Sequence, residues 1–226
     1  VVTASATYAD PGNDTHTALW DWDDGSTSEG VIPVTGEVTG SHTYSEPGVY
    51  TVTVTVTDNH GGSDQATFSY VVAYDPSGGF DTGGGWIDSP AGAYVADPTL
   101  TGTATFGFVS KYAKRSTVPT GNTEFVFHAG DLQFHSDSYD WLVIAGHKAM
   151  YKGTGTINGT GEYGFTLSAI DADLTASTEV DLFRIKIWDK ATDTVVYDNL
   201  IGADDDADPT TELNGGSIVI HKAGKK

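Results

Sequence analysis

The sequence predicts an all-β chain made of an N-terminal β-sandwich and a second, larger antiparallel β domain of sandwich or jelly-roll-like form. Three observations predict this. Period-2 alternation of apolar and polar residues recurs along the chain, and no sustained i, i+3, i+4, i+7 apolar pattern does. The short alternating runs are separated by turn signals such as Asp24-Gly25, Asn158-Gly159 and Gly215-Gly216. The acids are 24 Asp against 7 Glu, with 28 Gly, a choice that favours turns over helices.

The chain opens VVTASATY (1–8), an alternating run without an initiator Met, as expected of a processed chain or a fragment. WDWDDGS (20–26) places Trp20 and Trp22 on one face of a strand and closes on an Asp-Gly turn. VYTVTVTVTD (49–58) is the clearest strand: Tyr50, Val52, Val54 and Val56 face one way, Thr51, Thr53, Thr55 and Thr57 the other. YDPSGGFDTGGG (74–85) interrupts the alternation with Pro, Ser and Gly, so the first domain is placed at 1–75, a linker at 76–85 and the second domain at 86–226. Short strands then follow at TATFGFV (103–109), TEFVFHA (123–129), DWLVIAG (140–146), YGFTLSAI (163–170), LFRIKIWD (182–189), DTVVYDN (193–199) and GGSIVIH (215–221). IGADDDADPTTELNGG (201–216) is the most polar stretch and reads as a loop. Its acids repel one another and would disorder it unless a cation intervenes.

Composition excludes several function classes. The net charge of -20 repels nucleic acid and anionic lipid. No apolar run approaches the roughly 20 residues of a membrane helix. The absence of Cys excludes thiol catalysis, disulfides and thiolate zinc. The histidines lack the spacing of a zinc site, and no Gly-x-Ser-x-Gly elbow, phosphate loop or defined carboxylate pair is present, so the chain does not read as an enzyme. NDT (13–15) and NGT (158–160) fit the glycosylation pattern, a weak signal.

WDWDDGST, followed after a loop by SHTYSEPGVYTVTVTVTDNHGGSD, resembles a PKD domain, an immunoglobulin-like sandwich. Trp20, Asp21, Asp24 and Gly25 match the first part of that family's pattern; His42, Tyr44, Gly48, Tyr50, Val52, Val56, Asp58 and Gly61 match the second. Trp22 stands where a Phe is usual and Asp23 where a Gly is usual, a position that Asp tolerates if φ is positive. The resemblance implies an extracellular or cell-surface module. Family members usually carry a further strand before the one at 1–8, which implies either that the fragment was cut there or that a neighbouring copy or β domain adds a strand along that edge. It also implies calcium near the loops, with Asp21 and Asp58 as ligands joined by Asp10, Asp23 and Asp24. The alternative is that these Asp residues cap turns through the backbone. Trp20 and Trp22 read as core, with a sugar-stacking platform as the other possibility.

Residues 80–226 resemble a β-rich module at the C-terminal end of secreted bacterial proteins, carried by GFVSKYAK, the run from PTGNTEF to GEYGF, and VDLFRIKIWD. No activity follows from that likeness. Asp171, Asp173 and Asp181 have the uneven spacing of a loop cation site, and Asp204, Asp206 and Asp208 form a second acid cluster; calcium is the expected ion, and a solvated acidic loop the alternative. Two functions are expected: a calcium-stabilised structural or adhesive surface module that assembles with its own kind, or an accessory module binding polysaccharide or protein for a secreted hydrolase. An exposed aromatic row including Trp86, Trp141 and Trp188 would favour the second.

Overall fold

The computed structural model describes residues 1–12, 14–34 and 36–222, so the Asn13 glycosylation motif lies partly outside the described residues. The chain divides into two units, Val1–Ala73 and Tyr74–Lys226. Both are built of strands, and no described helix is long and apolar enough to cross a membrane.

The first unit contains β1 (Val2–Thr7), β2 (His16–Asp21), β3 (Thr27–Glu29), β4 (Glu37–His42), β5 (Gly48–Asp58) and β6 (Ser63–Ala73). A four-stranded sheet runs β3-β2-β5-β6, and β1 pairs antiparallel with β4 in a second sheet. The alternation of β5 places Val52, Val54 and Val56 in the core, where Ala18, Trp20, Trp22 and Val38 join them. Ala4, Ala6 and Tyr8 pack on the same cluster from the β1 side. Trp20 and Trp22 are wholly buried and stack at 5.4 Å. They are core, not a sugar platform. A Cβ on Gly40 would stand 2.6 Å from Trp20 Nε1, so only a glycine lets β4 close over the indole. Gly40→Ala should therefore destabilise this unit by about 1–3 kcal/mol, the cost of overpacking. Denaturant unfolding followed by tryptophan fluorescence measures it.

The second unit contains β7 (Gly79–Ser89), β8 (Gly102–Tyr112), β9 (Pro119–Phe127), β10 (Leu132–Ala145), β11 (Lys148–Ile157), β12 (Thr160–Ile170), β13 (Leu182–Asp189), β14 (Thr194–Asp198), β15 (Thr211–Glu212) and β16 (Gly215–Lys222). Successive strands are neighbours from β7 to β14, and β16 adds to the outer side of β7. That order is an up-and-down meander. It lacks the Greek-key crossings of a jelly roll, which corrects the finer part of the predicted class. The register of β10 shifts at Ser136/Ser138 and again at Tyr139/Trp141, and such bulges bend a strand. The sheet folds back on itself, so that Phe106 stacks on Phe183 at 4.0 Å and Phe125 meets Tyr197 at 4.7 Å.

The expected linker at 76–85 is also corrected. From Gly79 onward the segment is β7, paired in continuous register with β8 and β16. Its glycines make room for aromatic rings: a Cβ on Gly83 would stand 2.5 Å from Phe108 Cζ. Glycine within a strand can mark such a close approach as well as a loop.

Candidate functional site

The predicted acids of the first unit sit in turns and bind the backbone around them. Asp21 Oδ1 accepts from the Asp23 amide at 3.0 Å, and Asp23 Oδ2 accepts from the Thr51 amide at 2.8 Å. Asp23 takes φ 64°, the left-handed conformation allowed for at this position. Asp24 Oδ1 accepts from the Ser26 hydroxyl at 2.5 Å and the Ser26 amide at 3.1 Å; Oδ2 faces His42 Nε2 at 2.7 Å. These bonds, the Ser26 hydroxyl first and His42 next, hold its carboxyl down at about 2. His42 is itself stacked on Trp22 at 5.2 Å and edge-on to Tyr44 at 4.8 Å, and the Tyr44 hydroxyl donates to the Trp22 carbonyl at 2.9 Å. Burial, then the Asp24 charge, pushes the Tyr44 phenol up to about 12. Asp58 Oδ1 accepts from the His60 and Gly62 amides at 2.7 and 2.9 Å. Asp10 accepts from the Gly12 amide at 2.8 Å and meets His16 Nε2 at 3.0 Å. Asp10, Asp58 and Asp64 line one shallow cleft with His16.

The acids of the second unit divide between a clamp and a strapped loop. Asp171 Oδ1 accepts from the Asp173 amide and Oδ2 from Ile220, at 3.0 and 2.8 Å. Asp181 accepts from Ala172 at 2.8 Å and from Ile218 at 2.7 Å. The two carboxylates thus occupy amides along β16, the last strand of the sheet path, and tie it to the connection between β12 and β13. The loop after β14 is held by cationic side chains. Arg184 forms a bidentate pair with Asp198, both bonds 3.0 Å, and donates to the Asp204 carbonyl at 2.7 Å. Lys148 donates to the Asp206 carbonyl at 2.8 Å and to Asp208 Oδ1 at 2.7 Å, and Lys186 pairs with Asp205. The cation expected to quiet this loop is supplied by Arg and Lys.

A family model described as PKD domain matches residues 1–72. The two halves of the motif in order, the paired sheets and the profile match agree. Residues 1–72 are a PKD domain. No curated protein and no solved structure matches the chain. A PKD domain is typically a non-catalytic immunoglobulin-like module and occurs in extracellular proteins. In this one the residues that carry the family pattern, Trp20, Asp24, His42 and Tyr44, build core and turn.

The residues present do not fit calcium as placed. Among the described residues no group of three or more His, Asp or Glu side chains is positioned to hold a metal ion. Neither the PKD set of Asp10, Asp21, Asp23, Asp24 and Asp58 nor the set of Asp171, Asp173 and Asp181, nor that of Asp204, Asp206 and Asp208, is gathered into an oxygen cage. Part of the reason is competition: carboxyl oxygens of Asp10, Asp21, Asp23, Asp24, Asp58, Asp171 and Asp181 already face backbone amides, a hydroxyl or a histidine, and Asp208 faces Lys148. Thermal unfolding in millimolar calcium and in excess chelator should give midpoints within about 1 °C of each other. An occupied site at a hundredfold excess over Kd would add about 2.7 kcal/mol, a shift of several degrees.

Sequence reasoning missed one buried group, Asp81. It lies on β7 with no exposed surface, and neither carboxyl oxygen has a hydrogen-bond partner. Ser110, its cross-strand partner, is equally buried and its hydroxyl is equally unpaired. Nearby, the Thr123 hydroxyl bonds the Tyr139 and Tyr151 hydroxyls at 2.8 and 2.9 Å, and Ser136 accepts from the Thr123 amide at 2.8 Å. Desolvation is the largest effect and pushes the Asp81 carboxyl up to about 8; the amides of Asp81 and Ser110 lie near enough to pull the other way but do not reach hydrogen-bonding geometry with it. At neutral pH it is mostly a neutral acid, walled off from any substrate in solution. The phase of β7 was the available signal: Asp81 shares the inward face with Ile87, but the Gly-rich run around it reads as linker.

Proposed function

We propose that the chain is an extracellular, non-catalytic structural or adhesive module that joins neighbouring copies of itself by strand addition along β1. One observation carries this reading, the unguarded edge of β1. Among the described residues β1 pairs only with β4, and Val2–Thr7 has no charge, proline or bulge to block a further strand. Three other edges are protected. β16 is occupied by the Asp171 and Asp181 carboxylates, and β14 is bonded by the Ala93–Val95 segment. β6 carries Asp64 and a register shift opposite Tyr50 and Val52. Two β1 strands meeting antiparallel would pair small, neutral side chains, so the contact avoids the repulsion that a net charge of -20 imposes elsewhere.

Association should therefore strengthen with salt, which screens that repulsion. Sedimentation of the chain from micromolar to millimolar concentration, at 0.15 and 0.5 M salt, should show concentration-dependent assembly. Thr3→Lys with Ser5→Lys, both on exposed positions, should return it to monomer. These changes lower the net charge, so their effect cannot come from overall repulsion. A chain that stays monomeric throughout, or a double variant that assembles equally, would refute strand addition between copies.

A further inference from the structure

We infer that the outer face of β16-β7-β8-β9 in the second unit, centred on Trp86, is a binding surface for a neutral polysaccharide. The inference is independent of the β1 edge. Period-2 alternation turns Asp81 and Ile87 of β7 inward and Phe80, Thr82, Gly84 and Trp86 outward. Trp86 pairs across to Gly215, and a Cβ there would come within 2.6 Å of Trp86 Nε1. The indole therefore lies down over the neighbouring strand with Gly215 beneath it, and the side chain remains 37% exposed.

The next row on this face is floored by glycine. Ser217, Gly84, Gly107 and Glu124 are successive cross-strand partners, and a Cβ on Gly107 would meet nothing within 4 Å. The row beyond carries Val219, Thr82, Val109 and Asn122. Phe80, 37% exposed, then stacks on His221 at 4.1 Å. From Phe80 to Trp86 the strand runs about 20 Å, so the Trp86 indole and the Phe80–His221 stack flank an open strip lined by glycines, hydroxyls, an amide and the Glu124 carboxylate.

That combination fits a sugar polymer. A recumbent indole offers a flat apolar surface for the C–H face of a pyranose, and hydroxyl and amide side chains beside it pair with sugar hydroxyls. Charge narrows the class. Glu124 closes the glycine row at β9, Lys111 stands beside Phe80 and Asp88 follows Trp86 on the same face, all on a protein of net charge -20. An anionic glycan or nucleic acid would be repelled by the whole molecule.

The test is retention of the full chain on a panel of neutral polysaccharides (cellulose, chitin, xylan and a soluble β-glucan) with alginate as the anionic control. At least one neutral polymer should bind and alginate should not. Trp86→Ala should weaken binding at least tenfold, as should Gly107→Glu, which adds bulk and charge to an open position; unchanged melting curves establish that both variants fold. No retention on any neutral polymer, preference for alginate, or binding that survives both substitutions would overturn the proposal. Thr3→Lys with Ser5→Lys should bind the polymer like the parent, so failure here and failure of β1 assembly are read separately.

Discussion

Arg184→Met should be among the most damaging single substitutions in the second unit. Arg184 and Asp198 are each at most 3% exposed and share two 3.0 Å hydrogen bonds. Removing the guanidinium leaves a carboxylate in the interior without its counter-charge, which costs about 3–5 kcal/mol. The same change frees the Asp204 carbonyl, to which Arg184 donates at 2.7 Å, so the loop after β14 loses its central strap. In a domain of this size the loss should lower the melting midpoint by roughly 10 °C. Limited proteolysis should open first between residues 199 and 209. The double change Arg184→Met with Asp198→Leu should recover much of the loss, because a buried ion pair replaced by apolar side chains is often neutral or stabilising. If the single variant melts within about 1 °C of the parent, the ion pair does not organise this face.

The strap also shows where sequence reasoning reached and where it stopped. Alternation located β5, β13 and most other strands, because side-chain period is set locally by the pleat. It failed at β7, where Gly83 and Gly85 make room for neighbouring chain and rings and so imitate a linker. The abundance of Asp was legible as turn chemistry, and Asp21, Asp24 and Asp58 perform it. What could not be read was which positive groups would reach the acidic loop. Lys148 is 60 residues from Asp208, and Arg184 is 14 from Asp198 across a hairpin. Such pairings are decided by sheet order, which the sequence does not display; that left calcium as the only visible way to neutralise Asp204, Asp206 and Asp208. His60 beside Asp14 and His135 beside Glu124 were hidden for the same reason.

Asp81→Asn should make the protein more stable at neutral and mildly alkaline pH, against the expectation that replacing a buried polar residue is harmful. The sign follows from linkage. The folded carboxyl titrates at about 8 and the unfolded one at its ordinary 3.8, so folding takes up a proton between those values. Stability contributed by the neutral acid is complete below about pH 4. It falls by about 1.4 kcal/mol per unit as pH rises and is lost above about pH 8. The accumulated loss by pH 8 is on the order of 5 kcal/mol, all of it absent from an amide that cannot ionise. Parent and variant should therefore match within about 1 kcal/mol at pH 4, and their denaturation curves should separate steadily up to pH 8. The Tyr139 and Tyr151 phenols do not blur the comparison, because burial raises both above 10 and they stay neutral across the window. Curves that run parallel from pH 4 to 8 would mean that Asp81 ionises as it does in the unfolded chain. Its burial beside Ser110, with neither side chain partnered, would then be wrong.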